Sequence, residues 1–396
     1  MDNLRVLELY SGIGGMHYAL KESGIPAQVV TAIDINTTAN QVYKHNFPDT
    51  ALWNKTIEGI TLDEFNKLSF DMILMSPPCQ PFTRIGLQGD VTDPRTKSFL
   101  YILDLLPRLQ RLPRFILLEN VKGFETSSAR ARLVKTLTEC GYTFQEIMIS
   151  PISVGIPNSR LRYFLIAKIS TEDLNTQAPS KQYCVSLLRQ NLYITDKGAE
   201  EDKTRNFFPH LAESDSSEHP TFLSPACQGA SQPEEGTDVL FKLETTAEAQ
   251  RKIRQNSNLS VKQIKEFLEP QMEVNMEPYL LPPKTLLRYG LVLDIVQPTC
   301  RRSVCFTKGY GRYVQGTGSV LQCCMETKIE SVFMGLDQCS EEEKLQRLLK
   351  LKLRYFSPRE VANLMGFPQN LSKSLICPSL ELCIFKNSYD HQNLLS

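Results

Sequence analysis

The sequence lacks a net charge, a long apolar run and a secretory type of N-terminus. Its 44 lysines and arginines are matched by 44 acidic residues, so the overall charge does not indicate a nucleic-acid-binding protein. A polyanionic partner would have to bind to a local basic patch. No run of about 18 apolar residues occurs, and we expect no membrane span. The first residues have no apolar signal core, so we expect no signal peptide. The expected location is the cytoplasm, with the nucleus as an alternative.

The sequence also lacks a cysteine framework. Its cysteines number 11, an odd count, and none are spaced as Cys-x-x-Cys. Without a secretory signal, we expect these thiols to be reduced. Cys300 with Cys305, and Cys323 with Cys324, are the pairs that could be read as metal ligands, but no histidine spacing supports a zinc site. We therefore predict that the protein binds no metal.

Strand-like and helix-like segments alternate from residue 4 to about residue 170. Short apolar runs rich in branched side chains predict strands, and segments with helical spacing lie between the first five of them. The predicted strands are residues 4–10, 28–34, 70–75, 114–121, 142–150 and 162–170. This alternation predicts an α/β fold with a mostly parallel sheet that is covered on both faces.

The composition changes after about residue 170. Residues 171–238 are rich in acidic residues, Ser, Pro and Gly without a sustained period, which predicts a flexible polar insertion. Residues 239–345 carry a local basic cluster, with six Lys or Arg against one acid between Lys284 and Arg312. We expect a helix at residues 261–269. Two further helices, separated by the stretch RYFSP, are expected between residues 341 and 368.

A glycine-rich turn joins the first predicted strand to the first helix, in the stretch ELYSGIGG. Gly12, Gly14 and Gly15 permit close backbone approach and leave the first amides of the helix free for an anion. Asp34 ends the second strand about 20 residues later, where nucleotide-binding sheets place an acid on the ribose hydroxyls. A structural turn and a solvated aspartate are the alternatives. Together the two features predict a cofactor that contains adenosine.

Cys79 follows the strand at residues 70–75 and is flanked by Pro77, Pro78 and Pro81. An inert core thiol is the ordinary interpretation of a cysteine after a strand. The prolines favour a nucleophile instead, because covalent attack requires a rigidly placed thiol that can become a thiolate. The carboxyl ends of strands are also where open α/β sheets hold their ligands.

Two later strands carry charged residues. Glu119 and Asn120 lie at the end of an apolar strand. Burial of a carboxylate there costs free energy unless a cation or hydrogen bonds compensate it, or unless it has a role in the chemistry. Arg160 and Arg162 are two residues apart, which places them on one face of a strand. Two such guanidinium groups suit a phosphate or a polarised carbonyl, with a pair on the surface as the alternative.

These five elements, in this order, resemble the cytosine-C5 methyltransferase family. The elements are the glycine turn, the strand-end aspartate, Pro-Pro-Cys-Gln, Glu-Asn-Val and Arg-x-Arg. The resemblance covers residues 4 to about 170, 297–321 and 354–368. It is closest to the branch that methylates tRNA, through SPPCQPFTRIG, TIEGI and the sequence Cys305-Phe306-Thr307.

The resemblance implies the class I S-adenosylmethionine-dependent methyltransferase fold, which is Rossmann-like, with a small target-recognition region. The implied domains are 1–170 for catalysis and cofactor binding, 239–345 for target recognition and 346–369 as a return to the catalytic domain. The implied cofactor residues are Tyr10, Gly12, Ile13, Gly14, Gly15, Asp34, Ile57, Glu58 and Ser76. The implied catalytic residues are Cys79, Glu119, Arg160 and Arg162. The implied substrate-binding residues are Arg84, Arg301, Arg302 and Lys308.

The implied reaction is methylation of cytosine C5 through a covalent bond between Cys79 and C6. By resemblance, the target is cytosine 38 in the anticodon loop of tRNA-Asp. The expected partner is tRNA, with DNA as a weaker one, and we expect a monomer. A DNA methyltransferase is one alternative. An impaired RNA-binding form is another, because the Gly-Asn-Ser segment and final helix of the family are missing, and residues 370–396 are predicted to be an atypical, disordered tail.

Overall fold

The computed structural model describes residues 3–78, 90–169, 242–270, 275–307, 309–312 and 316–368. The predicted insertion at residues 171–238 and the predicted disordered tail at residues 370–396 lie outside these ranges. Within them, no helix is both long and apolar enough to cross a membrane.

The central element is a seven-stranded sheet with the order β3-β2-β1-β4-β5-β7-β6. The first five strands run parallel, and β7 pairs antiparallel with both β5 and β6. The mostly parallel sheet predicted from the sequence is therefore confirmed, although β3 was not predicted. The strands are β1 Leu4–Leu9, β2 Ala27–Ile33, β3 Ala51–Trp53, β4 Met72–Met75, β5 Phe115–Val121, β6 Tyr142–Ile149 and β7 Arg162–Ile169.

Helices cover both faces of this sheet. Alternate side chains of β1 point to opposite faces, so Val6 packs in one core while Leu7 and Leu9 pack in the other. Side chains of α1 and α2 share the core with Val6, and those of α3, α4 and α5 lie in the second core. The helices are α1 Gly15–Glu22, α2 Thr37–Asn46, α3 Leu62–Leu68, α4 Lys97–Leu105 and α5 Ser128–Glu139.

The later part of the chain forms a second, smaller unit around a three-stranded sheet with the order β10-β9-β8. Its strands are β8 Ile295–Val296, β9 Val320–Gln322 and β10 Leu353–Arg354. Its helices are α6 Thr246–Asn256, α7 Pro283–Tyr289, α8 Ile329–Phe333, α9 Glu341–Leu349 and α10 Pro358–Leu364. The two helices expected between residues 341 and 368 are confirmed as α9 and α10.

The helix expected at residues 261–269 is wrong. Only a single 3₁₀ turn forms there, at Ile264–Phe267. The amide of Ile264 donates to the carbonyl of Cys300 at 2.9 Å, and that of Lys265 donates to Pro298 at 2.8 Å. These bonds to a distant segment replace the local bonds that a helix would need, so tertiary pairing decides the conformation.

The two units share a hydrophobic core. Ile264, Phe306 and Phe356 belong to the same buried cluster as Val6 of the large sheet. In addition, β10 lies within the range 346–369 that was assigned to the catalytic domain, yet it pairs with β9 of the small sheet. The domain boundaries drawn from the sequence stay a prediction. The described contacts join the units that these boundaries separate.

A buried ion pair holds this junction together. The side chain of Arg354 is 2% exposed and that of Glu360 is 0% exposed, and they form two bonds of 2.7 and 2.8 Å. The Glu360 carboxylate also accepts from the amide of Ser357 at 2.9 Å and from that of Glu269 at 3.2 Å. One carboxylate therefore connects β10, the start of α10 and the segment after Phe267.

We expect Arg354→Met to lower the free energy of unfolding by about 3–5 kcal/mol, because it leaves the Glu360 charge buried without its cation. The matched control is Arg132→Met, which breaks the pair with Asp104 at 2.7 Å between side chains that are 48% and 57% exposed. That control should cost less than about 1 kcal/mol. Urea unfolding followed by circular dichroism measures both, and equal losses would contradict the assignment.

Candidate active site

The predicted site residues follow the carboxyl ends of parallel strands, which all open on one edge of the sheet. The strand order reverses between β1 and β4, and such a reversal leaves a crevice where open α/β sheets bind ligands. The glycine turn follows β1, Asp34 follows β2 and Ser76 follows β4, while Glu119 lies near the end of β5. The topology thus gathers residues that are far apart in the sequence.

The glycine turn is tightly folded. The amide of Gly14 donates to the carbonyl of Ser11 at 2.8 Å, and Gly14 has a φ of +91°. A Cβ on Gly14 would lie 2.4 Å from Cε2 of Phe47, so no larger residue fits there without displacing the ring. Tyr10, just before the turn, has a φ of +59°, which is strained for a bulky residue. Gly12 lies within the turn, Ile13 is buried beneath it and Gly15 begins α1.

Asp34 ties the end of β2 to this turn. One carboxylate oxygen accepts from the amide of Gly12 at 2.9 Å, and the other accepts from that of Asn36 at 2.7 Å. Tyr10 lies close by, with its hydroxyl donating to Ser98 Oγ at 3.0 Å. Burial raises the pKa of Tyr10 well above its ordinary value, and the negative charges of Glu58 and Asp34 raise it further. The negative charges of the two carboxylates therefore raise the pKa of the same tyrosine.

Three further predicted residues differ in their exposure. Ile57 is buried in a 3₁₀ turn after β3, and the neighbouring Glu58 is exposed. Ser76 is buried at the end of β4. The hydroxyl of Ser11 is also buried, and it has no hydrogen-bond partner among the described residues. This serine was not predicted, although it lies inside the quoted glycine motif.

Glu119 forms the second half of the site. Its side chain is 5% exposed, and its carboxylate pairs with Nε of Arg162 at 3.2 Å. A buried carboxylate is costly unless a cation or hydrogen bonds compensate it, and Arg162 on the adjacent strand β7 supplies that charge. The next residue, Asn120, donates from its amide to the carbonyl of Pro77 at 3.3 Å. This bond fastens the end of β5 to the chain that leaves β4.

The candidate nucleophile Cys79 lies outside the described residues, as do Arg84 and Lys308. The described chain leads from β4 through the buried Pro77 to Pro78, which precedes Cys79 in the sequence. Cys79 therefore stands two residues after Pro77, whose carbonyl Asn120 holds.

Arg160 does not share a strand face with Arg162, so that expectation is wrong. The strand β7 begins at Arg162, and Arg160 precedes it. The guanidinium of Arg160 donates to Sγ of Cys305 at 2.9 Å and to the carbonyl of Phe306 at 3.4 Å. Arg162 orients Glu119, whereas Arg160 connects the large sheet to the segment that contains Cys305-Phe306-Thr307.

Sequence reasoning missed the contacts that bring this segment to the site. Asn158 donates to Ser303 Oγ at 3.0 Å and to the carbonyl of Val304 at 3.1 Å. The amide of Ser159 donates to the carbonyl of Ser303 at 2.9 Å, and Ser303 Oγ donates to Pro157 at 2.5 Å. No local pattern in either stretch indicates this pairing, because the partners are about 145 residues apart in the chain.

The structure corrects the role expected for Arg302. The side chain of this arginine is 4% exposed and its guanidinium forms bonds of 3.0 and 2.5 Å with Asp294, so it is not available to RNA phosphates. Arg301 is half-buried and donates to the carbonyl of Val261. Counting basic residues could not reveal this, because charge in a sequence does not indicate burial.

Metal ligands are not grouped in the described ranges. No set of three or more His, Cys, Asp or Glu residues there could hold a metal ion. The described cysteines, which include both pairs considered above, are free thiols.

Known proteins resemble this chain over nearly its whole length. The human tRNA (cytosine(38)-C(5))-methyltransferase is 58% identical over 372 residues, which are 93% of this chain and 91% of that protein. A DNA (cytosine-5)-methyltransferase of Dictyostelium discoideum is 37% identical and covers 94% of this chain and 87% of its own length. The crystal structure of S. pombe Dnmt2 methyltransferase matches with a TM-score of 0.70 at 31% identity, over 100% of this chain and 96% of that one.

The structural match and the sheet order confirm the predicted class I S-adenosylmethionine-dependent methyltransferase fold. The family model described as C-5 cytosine-specific DNA methylase matches residues 4–375. Because this match and the high identities both span most of the sequence, the chain belongs to the C-5 cytosine-specific DNA methylase family.

Proposed function

We propose that this protein transfers a methyl group from S-adenosylmethionine to C5 of cytosine in tRNA, at cytosine 38 of the anticodon loop of tRNA-Asp. The observation that carries the proposal is the similarity to the human tRNA (cytosine(38)-C(5))-methyltransferase over nearly the whole chain. The buried pair of Glu119 and Arg162 supports it, because cytosine chemistry requires a positioned acidic group beside the nucleophile.

The glycine turn and its neighbours fit a cofactor that contains a nucleoside. The carboxylates of Asp34 and Glu58 suit ribose hydroxyl and amino groups, and the first amides of α1 suit a carboxylate. The buried Ser11 hydroxyl has hydrogen-bonding capacity that no described residue uses. When bound, S-adenosylmethionine supplies an activated methyl group on a sulfonium sulfur. Ile57 and Ser76 complete the set of residues that would surround this cofactor.

Cys79 performs the activation that cytosine requires, because C5 by itself is a weak nucleophile. The thiolate adds to C6, which forms an S–C6 bond and increases electron density at C5. C5 would then take the methyl group as the S–CH3 bond of the cofactor breaks and leaves a neutral thioether. Loss of the C5 proton to a base and cleavage of the S–C6 bond would restore the aromatic ring and the thiolate. The prolines at positions 77, 78 and 81 restrict the backbone around Cys79, as an attack with one allowed geometry requires.

Glu119 holds N3 and the exocyclic amine of the cytosine while charge develops on the ring. Arg162 keeps this carboxylate in place through the 3.2 Å contact. Arg160, bonded to Cys305 and Phe306, supports the base carbonyl or a phosphate from the other side of the junction between the two units.

An RNA loop is a suitable substrate for such a site. The base must leave its stack to reach Cys79 and Glu119, and a cytosine in an anticodon loop needs less free energy for this than one in a duplex. Among the residues proposed for RNA contacts, Arg301 is only half-buried, while Arg84 and Lys308 lie outside the described residues.

A DNA cytosine-5 methyltransferase is the second candidate function. The similarity to the Dictyostelium discoideum DNA (cytosine-5)-methyltransferase favours it, and its chemistry would be the same. Methyl transfer to tRNA and to duplex DNA, measured side by side over a range of salt concentrations, separates the two. Duplex binding through many phosphates should weaken steeply as salt rises.

The direct test is transfer of labelled methyl from S-adenosylmethionine to tRNA-Asp, with Cys79→Ala and a tRNA whose cytosine 38 is replaced by uracil. We expect label in tRNA-Asp, loss of at least about a thousandfold in rate with Cys79→Ala, and no label in the uracil variant. Transfer to the uracil variant would contradict the assigned position. An inactive wild-type protein would favour the impaired form instead.

We expect Glu119→Gln to lower kcat by about a hundred- to a thousandfold, because the amide cannot provide the charged contact to N3. Affinity for S-adenosylmethionine should stay within about twofold, since Glu119 acts on the base. The matched control is Glu146→Gln, which removes a carboxylate that pairs with Arg130 at 2.5 Å elsewhere on the sheet. Steady-state kinetics and calorimetry separate the two effects. An equal loss of kcat in both variants would contradict the role.

We expect Gly14→Ala to weaken binding of S-adenosylmethionine by at least about tenfold, because the added Cβ meets Phe47 and reshapes the turn. Gly24→Ala is the matched control at the other end of α1. Its φ is +69°, yet nothing lies within 4 Å of the added atom, so it carries backbone strain without a clash. Calorimetric titration gives both affinities. Similar losses would show that the turn does not hold the cofactor.

A further inference from the structure

Asp294 lies at the centre of a cluster of charges in the small unit. It directly precedes β8, and its side chain is 14% exposed. One carboxylate oxygen contacts Nζ of Lys252 at 2.9 Å, and both oxygens accept bonds from the guanidinium of Arg302. Burial by itself would raise the pKa of Asp294, but the positive charges of Arg302 and Lys252 outweigh burial and hold this pKa below its ordinary value. Asp294 is therefore ionised at neutral pH.

Ser319 connects this carboxylate to the backbone of another segment. Its hydroxyl is buried, donates to Asp294 Oδ2 at 2.6 Å and accepts from the amide of Val304 at 2.9 Å. Ser319 directly precedes β9, and the carbonyl of Asp294 accepts from the amide of Val320 at 2.9 Å, so the start of the small sheet fixes the two residues relative to each other. Asp294 thus holds residue 302 directly and residue 304 through Ser319.

The segment held in this way is the one that contacts the chain just before β7. The carbonyl of Val304 accepts from Asn158 at 3.1 Å, so Val304 bonds to the small unit through its amide and to the large sheet's connection through its carbonyl. The next residue, Cys305, accepts from the guanidinium of Arg160 at 2.9 Å. A continuous series of described contacts therefore leads from Asp294 to Arg160.

A purely stabilising role is the alternative for this cluster. Desolvation of buried charges can offset their attraction, so a buried ion pair is weak evidence for stabilisation. The bond from the Val304 amide to Ser319 is different, because it is directional and fixes the place of one backbone group. This contact favours a role in positioning.

We propose that Asp294, acting through Ser319, is a positioning residue for the proposed methyl transfer. It holds the backbone of Val304 at the place where the next residue, Cys305, binds the guanidinium of Arg160. The inference rests on the proposed function, in which Arg160 supports the base carbonyl or a phosphate. A displacement of about 1 Å in a group that orients the substrate can cost a hundredfold in rate.

The test compares two fully buried serines in the small unit through the variants Ser319→Ala and Ser357→Ala. Both residues are 0% exposed, and each hydroxyl donates one bond and accepts another. Ser357 Oγ donates to Glu269 at 2.5 Å and accepts from the amide of Glu360 at 3.1 Å. The two variants therefore lose the same atom and the same number of bonds, but only Ser319→Ala frees the amide of Val304.

We expect Ser319→Ala to lower kcat by about tenfold, while KM for tRNA and affinity for S-adenosylmethionine stay within about twofold. Ser357→Ala should keep kcat within about twofold of the wild type. An unchanged kcat in Ser319→Ala would overturn the inference. So would an equal fall in both variants, because the loss would then come from the stability of the small unit.

A double-mutant cycle shows whether the effect passes through Arg160. In an Arg160→Ala background, Ser319→Ala should change the single-turnover rate by less than about twofold, because the guanidinium that it positions is gone. A further fall of about tenfold would mean that the two residues act independently, and it would overturn the inference.

A third measurement does not depend on activity. Hydrogen exchange, followed by mass spectrometry of a peptide that contains Val304, reports how firmly its amide is held. Exchange should be faster in Asp294→Asn and in Ser319→Ala than in the wild type and in Ser357→Ala. Equal rates in Asp294→Asn and the wild type would overturn the inference. If the wild-type protein transfers no methyl group, that result counts against the proposed function, and the exchange rates alone decide whether Asp294 holds Val304.

Discussion

The buried pair between Glu119 and Arg162 is the interaction on which the site depends. A carboxylate at the carboxyl end of an apolar strand is tolerated only with a compensating charge, and the antiparallel strand β7 brings that charge to β5. The mixed sheet therefore has a chemical consequence. Because β7 inserts between β5 and β6, the cation Arg162 from late in the domain lies beside the acid Glu119 from its centre, and β4 pairs with the other edge of β5.

The second constraint is the junction between the two units. Arg160 bonds to Cys305 and Phe306, and Asn158 bonds to Ser303 and Val304, so the residues just before β7 are attached to the small unit. Arg162 comes two residues later. The small unit is thus attached only two residues before Arg162, which is the partner of Glu119. The shared core around Phe306 and the buried pair of Arg354 and Glu360 keep this attachment firm.

The part of the site that is proposed to bind the cofactor is held in a different way. Asp34 accepts hydrogen bonds from Gly12 and Asn36, and Tyr10 lies in a strained conformation above the turn. These bonds fix a narrow turn whose close contact with Phe47 excludes a side chain at Gly14. The turn is held by backbone amides that donate to the Asp34 carboxylate, whereas Glu119 is held by an ion pair with Arg162. The reversal of strand order between β1 and β4 is what brings the two halves together.

The sequence by itself determined the local features of this protein. Apolar periodicity indicated the strands that flank the site. The glycine turn and Asp34 predict a cofactor that contains adenosine, and the prolines around Cys79 predict a rigid thiol; both stay predictions. Each of these signals lies within a few neighbouring residues, where backbone sterics and periodicity operate. The tertiary structure decided the rest. Residues 261–269 form no helix because their amides bond to residues near Cys300. Arg302 is buried because its guanidinium pairs with the carboxylate of Asp294. Asp90 bonds to α5 and Asn158 bonds to Ser303 across distances in sequence at which no local preference acts, so only the folded chain could reveal these partners.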